Sequence, residues 1–148
     1  MPVLVPPVQT ALWAVGQQVV ARRLLERRRP GALAKALAVA CFAAGAASAT
    51  GASRRFSASG TTWEPWAPEK SSALVTDEPN ALTRNPMYVG MALAVVGTGL
   101  LSGRPVTCLA AAGLVATLTP QIEREEAALA ANFGEEWAAY TRRVRRWL

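Results

Sequence analysis

Four apolar stretches alternate with polar segments along the 148 residues of the chain. They cover residues 3–21, 31–52, 86–101 and 106–120. Because a helix needs about 20 apolar residues to cross a bilayer, the first two stretches are long enough and the last two are short. We expect the last two helices to extend into their polar flanks. The pattern therefore predicts about four transmembrane helices.

The polar segments between these stretches differ from one another. Residues 22–30 form a short basic loop, and residues 102–105 form a tight turn. Residues 53–82 are rich in Ser, Thr, Pro, Trp and acidic residues without a persistent period. They predict a loop long enough to be functional. Within it, Trp63 and Trp66 are candidates for anchoring at the membrane interface.

The residue pattern in the last part of the chain predicts a helix, the end of that helix and a C-terminal tail. Residues 121–131 continue the fourth helix as a polar extension, and Gly134 marks its end. Residues 135–148 carry aromatic residues among arginines. This composition is typical of an amphipathic tail in the lipid headgroup region, with an ordinary surface helix as the alternative.

These elements predict one membrane domain over residues 1–148, of the all-α class. It is an integral membrane helical bundle with about four transmembrane helices and an amphipathic C-terminal tail. Residues 1–52 supply two N-terminal spans, and residues 53–148 form the functional core. Small residues in the second apolar stretch allow close contact between helices, and with it an oligomer.

The formal net charge is +6, and every basic residue other than Lys35 and Lys70 is an arginine. Most of these arginines flank apolar stretches, which suits lipid headgroups. No basic run is interleaved with aromatic residues, so we expect no nucleic-acid partner. Under the predicted topology one side of the membrane holds nine Lys/Arg and the other seven, a difference too small to fix the orientation.

Histidine is absent, which removes the usual general base at neutral pH and the commonest metal ligand. The two cysteines, Cys41 and Cys108, lie in separate apolar stretches without metal-ligand spacing. We therefore predict no metal site and interpret both cysteines as small buried apolar residues.

Two polar blocks flank the hairpin made by the last two apolar stretches. The first holds Thr83, Arg84, Asn85, Pro86, Met87, Tyr88, Val89 and Gly90, and the second holds Glu123, Arg124, Glu125 and Glu126. Polar groups at a membrane boundary are costly unless something binds them. Because a hairpin returns the chain to its starting side, both blocks lie on one face. They predict a binding site made of two pieces.

Residues 84–90 resemble the Arg-His-Pro-x-Tyr-x-Gly signature of the isoprenylcysteine carboxyl methyltransferase family, which includes phospholipid N-methyltransferases. Glu-Glu at 125–126, Phe-Gly at 133–134, Tyr140 and the final Arg-Val-x-Arg at 143–146 are similar to the C-terminal pattern of that family. The resemblance covers the chain from about residue 53 to its end.

Two departures from the family pattern affect the expected chemistry. Asn85 stands where the family has histidine, and Glu78, Pro79 and Asn80 replace its Gly-Pro-aromatic sequence. Asparagine still donates and accepts hydrogen bonds, although it cannot abstract a proton. A catalytically degenerate member of the family therefore stays an alternative.

The resemblance implies S-adenosylmethionine as the cofactor. Arg84 would pair with its carboxylate, and Glu125 or Glu126 would accept hydrogen bonds from its ammonium or ribose hydroxyls. Tyr88 would line the adenosine or the path of the methyl group. The predicted cofactor-binding residues are Arg84, Asn85, Pro86, Tyr88, Gly90, Glu125, Glu126, Tyr140 and Arg143, of which Arg84, Tyr88 and Glu126 are the predicted catalytic residues.

Each assignment has a simpler alternative. Arg84 can bind a lipid phosphate, and Glu125 with Glu126 can form a solvated helix face. Tyr88 can belong to an interfacial aromatic belt, and Gly90 can serve helix packing. The tail residues Tyr140, Arg143 and Arg146 can be membrane anchors.

The activity that the resemblance implies is methyl transfer to a carboxylate, thiol or amine of a lipophilic or lipid-modified substrate. We expect the protein in the bacterial inner membrane among its lipids, with the site facing the cytosol where the cofactor is made. Two other hypotheses stay open: a sterol-reductase-like membrane enzyme with a nicotinamide cofactor, and a non-enzymatic membrane scaffold.

Overall fold

The computed structural model describes residues 4–25, 28–60 and 71–148. Its regular elements are α1 (Pro6–Arg23), α2 (Ala32–Ala58), α3 (Pro86–Leu101), a 3-10 helix (Pro105–Leu109) and α4 (Ala110–Arg143). No strand occurs among the described residues. The all-α prediction is confirmed.

The helix bounds follow local sequence signals, with one exception. Helix α3 coincides with its apolar stretch and begins at Pro86, whose fixed φ and missing N–H suit a first helical position. The predicted extension into the polar flank is confirmed for α4 but was wrong for α3, because the residue before a proline disfavours the helical conformation. Helix α2 runs on to Ala58, so the predicted loop was wrong for residues 53–58. Those residues contain neither Gly nor Pro, and polarity alone does not stop a helix. Trp63 and Trp66 lie outside the described residues.

Helix α4 passes through Pro120 and changes direction at Gly134. Gly134 has φ 48° and ψ −114°, a conformation that glycine adopts without the steric cost of a Cβ atom. The predicted stop at this glycine is confirmed, and residues 135–143 form a separate helical segment after it.

The chain divides into two compact units. The first, here the apolar unit, comprises Met1–Ala47 and Gly90–Leu118; the second, here the polar unit, comprises Ser48–Val89 and Thr119–Leu148. In the apolar unit Val95, Leu114 and Leu118 are completely buried. In the polar unit Ala52 and Ile122 are completely buried.

Close approach holds α1 against α4 in the apolar unit. A Cβ atom on Gly113 would lie 2.3 Å from the ring of Trp13, so only glycine admits this indole. Trp13 Nε1 donates a hydrogen bond to Thr117 Oγ1 at 3.1 Å. The absence of a side chain at one position therefore lets a large aromatic ring fill the interface.

Two glutamines of α1, Gln17 and Gln18, donate hydrogen bonds to other residues of the apolar unit. Gln17 Nε2 donates to Val95 O at 2.8 Å and to the Thr98 hydroxyl. Gln18 Nε2 donates to Thr98 O at 2.6 Å. These bonds explain why an apolar stretch tolerates polar residues in its second half, since each amide finds a protein partner.

Among the described residues, two helical segments are long and apolar enough to cross a membrane: Ala32–Ala58 and Pro105–Arg143. Helix α3 is apolar but has only 16 residues. Helix α1 is not among the candidates, because its glutamines and the two arginines of its last turn lower its mean hydropathy. The structure thus supports two candidate spans where the sequence predicted about four.

Candidate functional site

The start of α3 is tied to the C-terminal segment of the polar unit. Thr83 Oγ1 donates to Arg146 O at 2.9 Å, and Asn85 Nδ2 donates to the same carbonyl at 3.1 Å. Thr83 Oγ1 also accepts from the Asn85 backbone N–H at 3.2 Å. Both side chains are buried. Asn85, at the position of the family histidine, therefore holds the chain end in place.

Arg84 joins the two polar blocks. Its side chain is only 13% exposed, and its Nη2 lies 3.0 Å from Glu126 Oε1. Its Nη1 donates to Val144 O at 2.8 Å, and its backbone N–H donates to Arg145 O at 2.9 Å. The guanidinium carbon lies 5.8 Å from the ring centre of Trp137, within the range of a cation–π contact.

Glu126 is shared by two guanidinium groups. Arg146 Nη2 lies 2.7 Å from Glu126 Oε2, and Arg146 Nε donates to both carboxylate oxygens at 3.2 Å, including the Oε1 that Arg84 contacts. Hydrogen bonding to Glu126 raises the pKa of Arg146 above its ordinary value, so this residue stays cationic. Glu123 approaches Arg146 at 3.5 Å but is 57% exposed, so water screens its charge. The triad of Arg84, Glu126 and Arg146 therefore keeps a positive surplus.

A second pair links α3 to α4 in the polar unit. Tyr88 is 7% exposed, and its hydroxyl donates to Glu125 Oε1 at 2.5 Å. Gln121 Nε2 donates to the same oxygen at 3.2 Å. Tyr88 and Glu125 therefore face protein groups, which disagrees with an interfacial belt role for the tyrosine and with a solvated face for the glutamate.

Two aromatic residues of the tail, Trp137 and Tyr140, are buried in the protein. Tyr140 is 2% exposed, and its hydroxyl donates to Asn80 O at 2.6 Å. Trp137 is 8% exposed, with its ring centre 5.7 Å from that of Tyr140. The position of the tail relative to the headgroup region stays a prediction, whereas the alternative of Tyr140 as a membrane anchor disagrees with its burial. The burial of both rings places Tyr140 beside the Arg84 cluster.

Three of the predicted residues have other surroundings. Pro86 begins α3, and its carbonyl accepts a hydrogen bond from Ser48 Oγ at 2.7 Å. Gly90 belongs to the apolar unit, where its carbonyl oxygen would lie 2.8 Å from a Cβ on Gly45. A Cβ atom at Gly45 would clash at this distance, so the two backbones approach more closely than a side chain there would allow, as small residues permit in helix packing. Arg143 is exposed, and no contact joins it to the cluster within the described part of the chain.

Sequence reasoning left three participants out of the predicted site: Gln121, Trp137 and Arg146. Gln121 and Glu125 are four residues apart on one helix, a spacing that could have identified their hydrogen bond. Arg146 belongs to the C-terminal family pattern, which was its only signal. No spacing rule connects Trp137 with Arg84, because their contact depends on the fold.

Comparison with known proteins gives one match. A family model described as phospholipid methyltransferase matches residues 33–136, well over half of the chain. The match contains both polar blocks and confirms the resemblance seen in the motifs. No curated protein and no solved structure matches the chain.

Proposed function

The chain belongs to the phospholipid methyltransferase family, and we propose that it transfers a methyl group from S-adenosylmethionine to a lipophilic substrate in the membrane. The acceptor is a carboxylate, thiol or amine. The observation that carries the proposal is the meeting of the two polar blocks, with Arg84 and Glu126 atoms 3.0 Å apart. Residues 42 positions apart in the chain thereby form one cluster.

The side chains of the cluster fit the polar groups of this cofactor. The positive surplus of Arg84, Glu126 and Arg146 suits a carboxylate, which a guanidinium binds through parallel hydrogen bonds. The start of α3 at Pro86 adds the positive end of a helix dipole. Glu125 and Glu126 suit an ammonium group or ribose hydroxyls. The methyl donor carries all of these groups.

Binding and orientation are the main tasks of the protein groups. When bound, S-adenosylmethionine supplies an electrophilic methyl group. Glu126 holds both guanidinium groups in place, so it positions Arg84 toward the cofactor carboxylate. Tyr88 and Glu125 line the reacting region and exclude water from it. Transfer of a methyl group depends on alignment of donor and acceptor more than on a strong base.

Proton removal is needed when the acceptor is an amine or a thiol. Asn85 cannot take this proton. Among the proposed site residues, a carboxylate side chain is the group able to receive it, and Glu125 is the one already paired with Tyr88. We assign the proton to Glu125, while Tyr88 orients that carboxylate.

The proposed location is the bacterial inner membrane with the site toward the cytosol, where the cofactor is made. The substrate enters sideways from the lipid. We propose that α1 and α3 cross the bilayer together with the two longer helices. A helix of 16 residues extends about 24 Å, which local thinning of the bilayer can accommodate.

One observation favours a second candidate, a non-enzymatic membrane scaffold. Arg84 and Glu126 satisfy each other, and Asn85 ties down the chain end. A buried ion pair of this kind can fix two segments without any ligand. The scaffold therefore uses the same contacts for structure alone.

A titration of the full chain in lipid nanodiscs separates these candidates. We expect saturable, stoichiometric binding of S-adenosylmethionine, lost in Arg84→Ala and in Glu126→Ala. Arg142→Ala removes an exposed arginine of α4 and should bind normally. Binding of a reduced nicotinamide cofactor instead indicates a reductase, and binding of neither cofactor indicates the scaffold.

Turnover requires a separate measurement. We expect transfer of labelled methyl groups from S-adenosylmethionine into the lipid fraction of a bacterial membrane extract. Cofactor binding without any transfer to lipids or lipid-modified proteins would identify a degenerate member of the family.

A further inference from the structure

Asn80 occupies a fixed and buried position beside the cluster of the polar unit. It is 4% exposed. Its backbone N–H donates to Asp77 O at 2.7 Å, and its carbonyl accepts from Tyr140 Oη at 2.6 Å. Both backbone polar groups of Asn80 therefore have partners, and these bonds fix the position of its Cα and Cβ atoms.

The side-chain oxygen of Asn80 has no such partner. Oδ1 is buried, and no donor among the described residues hydrogen-bonds to it. Buried polar atoms without a partner are rare in native proteins, because nothing replaces the hydrogen bonds they made to water. A ligand that brings an N–H or O–H group would provide the missing bond.

One other buried side-chain oxygen in the described residues lacks a partner, Gln17 Oε1 in the apolar unit. It would lie 3.1 Å from a Cβ on Gly99, so a Cα–H of that glycine points toward it. The two hydrogen bonds from Gln17 Nε2 also hold this amide in place. Packing thus accounts for the missing hydrogen-bond partner of Gln17 Oε1. Asn80 Oδ1 is then the candidate for a ligand contact.

The chemistry of the Asn80 amide oxygen restricts which donor group of a ligand it can accept a hydrogen bond from. A neutral acceptor suits a neutral donor, whereas a buried ammonium needs a carboxylate to compensate its charge. In the proposed site the carboxylates of Glu125 and Glu126 are the groups that suit the charged ammonium of the cofactor, so Asn80 is left for a neutral donor. The remaining neutral N–H donor of that cofactor is the exocyclic amine of adenine, which amide side chains bind in other recognition settings.

We infer that Asn80 Oδ1 accepts a hydrogen bond from the exocyclic amine of the cofactor's adenine and so makes the site selective for adenine nucleosides. This inference rests on the proposed function, since it requires an adenosine cofactor. Asn80 itself lies in a turn, residues 78–82, whose Leu82 is 64% exposed. A turn of this kind opens locally more easily than a packed helix, which gives the ligand access.

The test compares two ligands on the full chain in nanodiscs by isothermal titration calorimetry. One is S-adenosylhomocysteine, and the other is its purine riboside analogue, in which hydrogen replaces the exocyclic amine. We expect the native protein to bind the adenosyl compound about tenfold more tightly, the value of one neutral hydrogen bond. Asn80→Ala should weaken the adenosyl compound about tenfold and leave the analogue unchanged.

Asn132→Ala is the matched control, because Asn132 is an exposed asparagine of the same unit. It should keep the preference. Equal affinities of the native protein for the two ligands overturn the inference. This result needs no variant, so the inference can be tested even when Asn80→Ala folds poorly. An undiminished preference in folded Asn80→Ala overturns it as well. Both results leave adenosyl binding intact, whereas no binding of either ligand overturns the proposed function too.

Discussion

The two units of this protein are stabilised by opposite means. The apolar unit relies on close approach, where Gly113 makes room for the ring of Trp13. The polar unit relies on charge, with Glu126 shared between Arg84 and Arg146. A packed apolar interface tolerates removal of a polar group but not added volume. A buried charge cluster tolerates modest changes of shape but not loss of one partner.

The largest expected effect comes from breaking the charge cluster. Glu126→Ala leaves Arg84, at 13% exposure, without its counter-charge and should lower the free energy of unfolding by about 3–5 kcal/mol. Chemical unfolding of the purified protein, followed by tryptophan fluorescence, measures it. Glu136→Ala, an exposed glutamate on the same helix, is the control. Equal stability of the two variants would show that the cluster does not stabilise the polar unit.

Added volume in the apolar unit should have the next largest effect. Gly113→Ala places a Cβ atom against the Trp13 ring and should cost about 1–3 kcal/mol of stability. The same substitution at Gly16 meets no atom within 4 Å, so Gly16→Ala should gain about 0.5–1 kcal/mol from helix propensity.

The cofactor titration then sharpens the comparison between the units. Folded Gly113→Ala should keep the native affinity for S-adenosylmethionine, because its substitution lies in the apolar unit. Loss of binding in a folded Gly113→Ala protein would mean that the chemistry is not confined to the polar unit.

A smaller effect is expected from one buried hydroxyl of the polar unit. Tyr140→Phe removes the donor to Asn80 O and should cost about 1 kcal/mol of stability, the net value of a typical intramolecular hydrogen bond. The shift of the denaturant midpoint of unfolding measures this cost, provided that the denaturant dependence of the unfolding free energy is unchanged. A variant as stable as the native protein would show that the turn holding Asn80 does not depend on this bond.

The smallest effect is expected for the exposed hydrogen bond of the apolar unit. Thr117→Val removes the acceptor of Trp13 Nε1 and keeps the shape of the side chain. Because hydrogen bonds between membrane-spanning helices contribute about 0.6 kcal/mol on average, the loss of stability should be of that size. A cost as large as that of Tyr140→Phe would remove the distinction drawn between the units.

Much of the fold could be predicted because its signals are local. Pro86 begins α3 and Gly134 interrupts α4 through their own backbone preferences. The end of α2 was missed, since polar residues without Gly or Pro leave the helix free to continue to Ala58. The number of spans was predicted only in part: two helices are long and apolar enough, whereas α1 is too polar and α3 too short to qualify by composition and length.

The candidate site could be predicted only in part. The motifs identified Arg84, Tyr88, Glu125 and Glu126, which the structure brings into one unit. Their predicted role toward a cofactor stays a prediction. Arg146, Trp137 and the side chain of Asn80 were outside that set, and no periodicity or spacing connects them with the first block.

The amino-acid sequence by itself determined the helical class, the hairpin between the two polar blocks and the family to which the chain belongs. These depend on backbone preferences, apolar periodicity and residue identity, all of which can be read locally. Tertiary structure alone decided that Glu126 bridges two arginines, that Trp137 and Tyr140 are buried, and that Asn80 keeps an unpaired oxygen. Those outcomes depend on which distant side chains packing brings together, and on which polar groups it leaves without water.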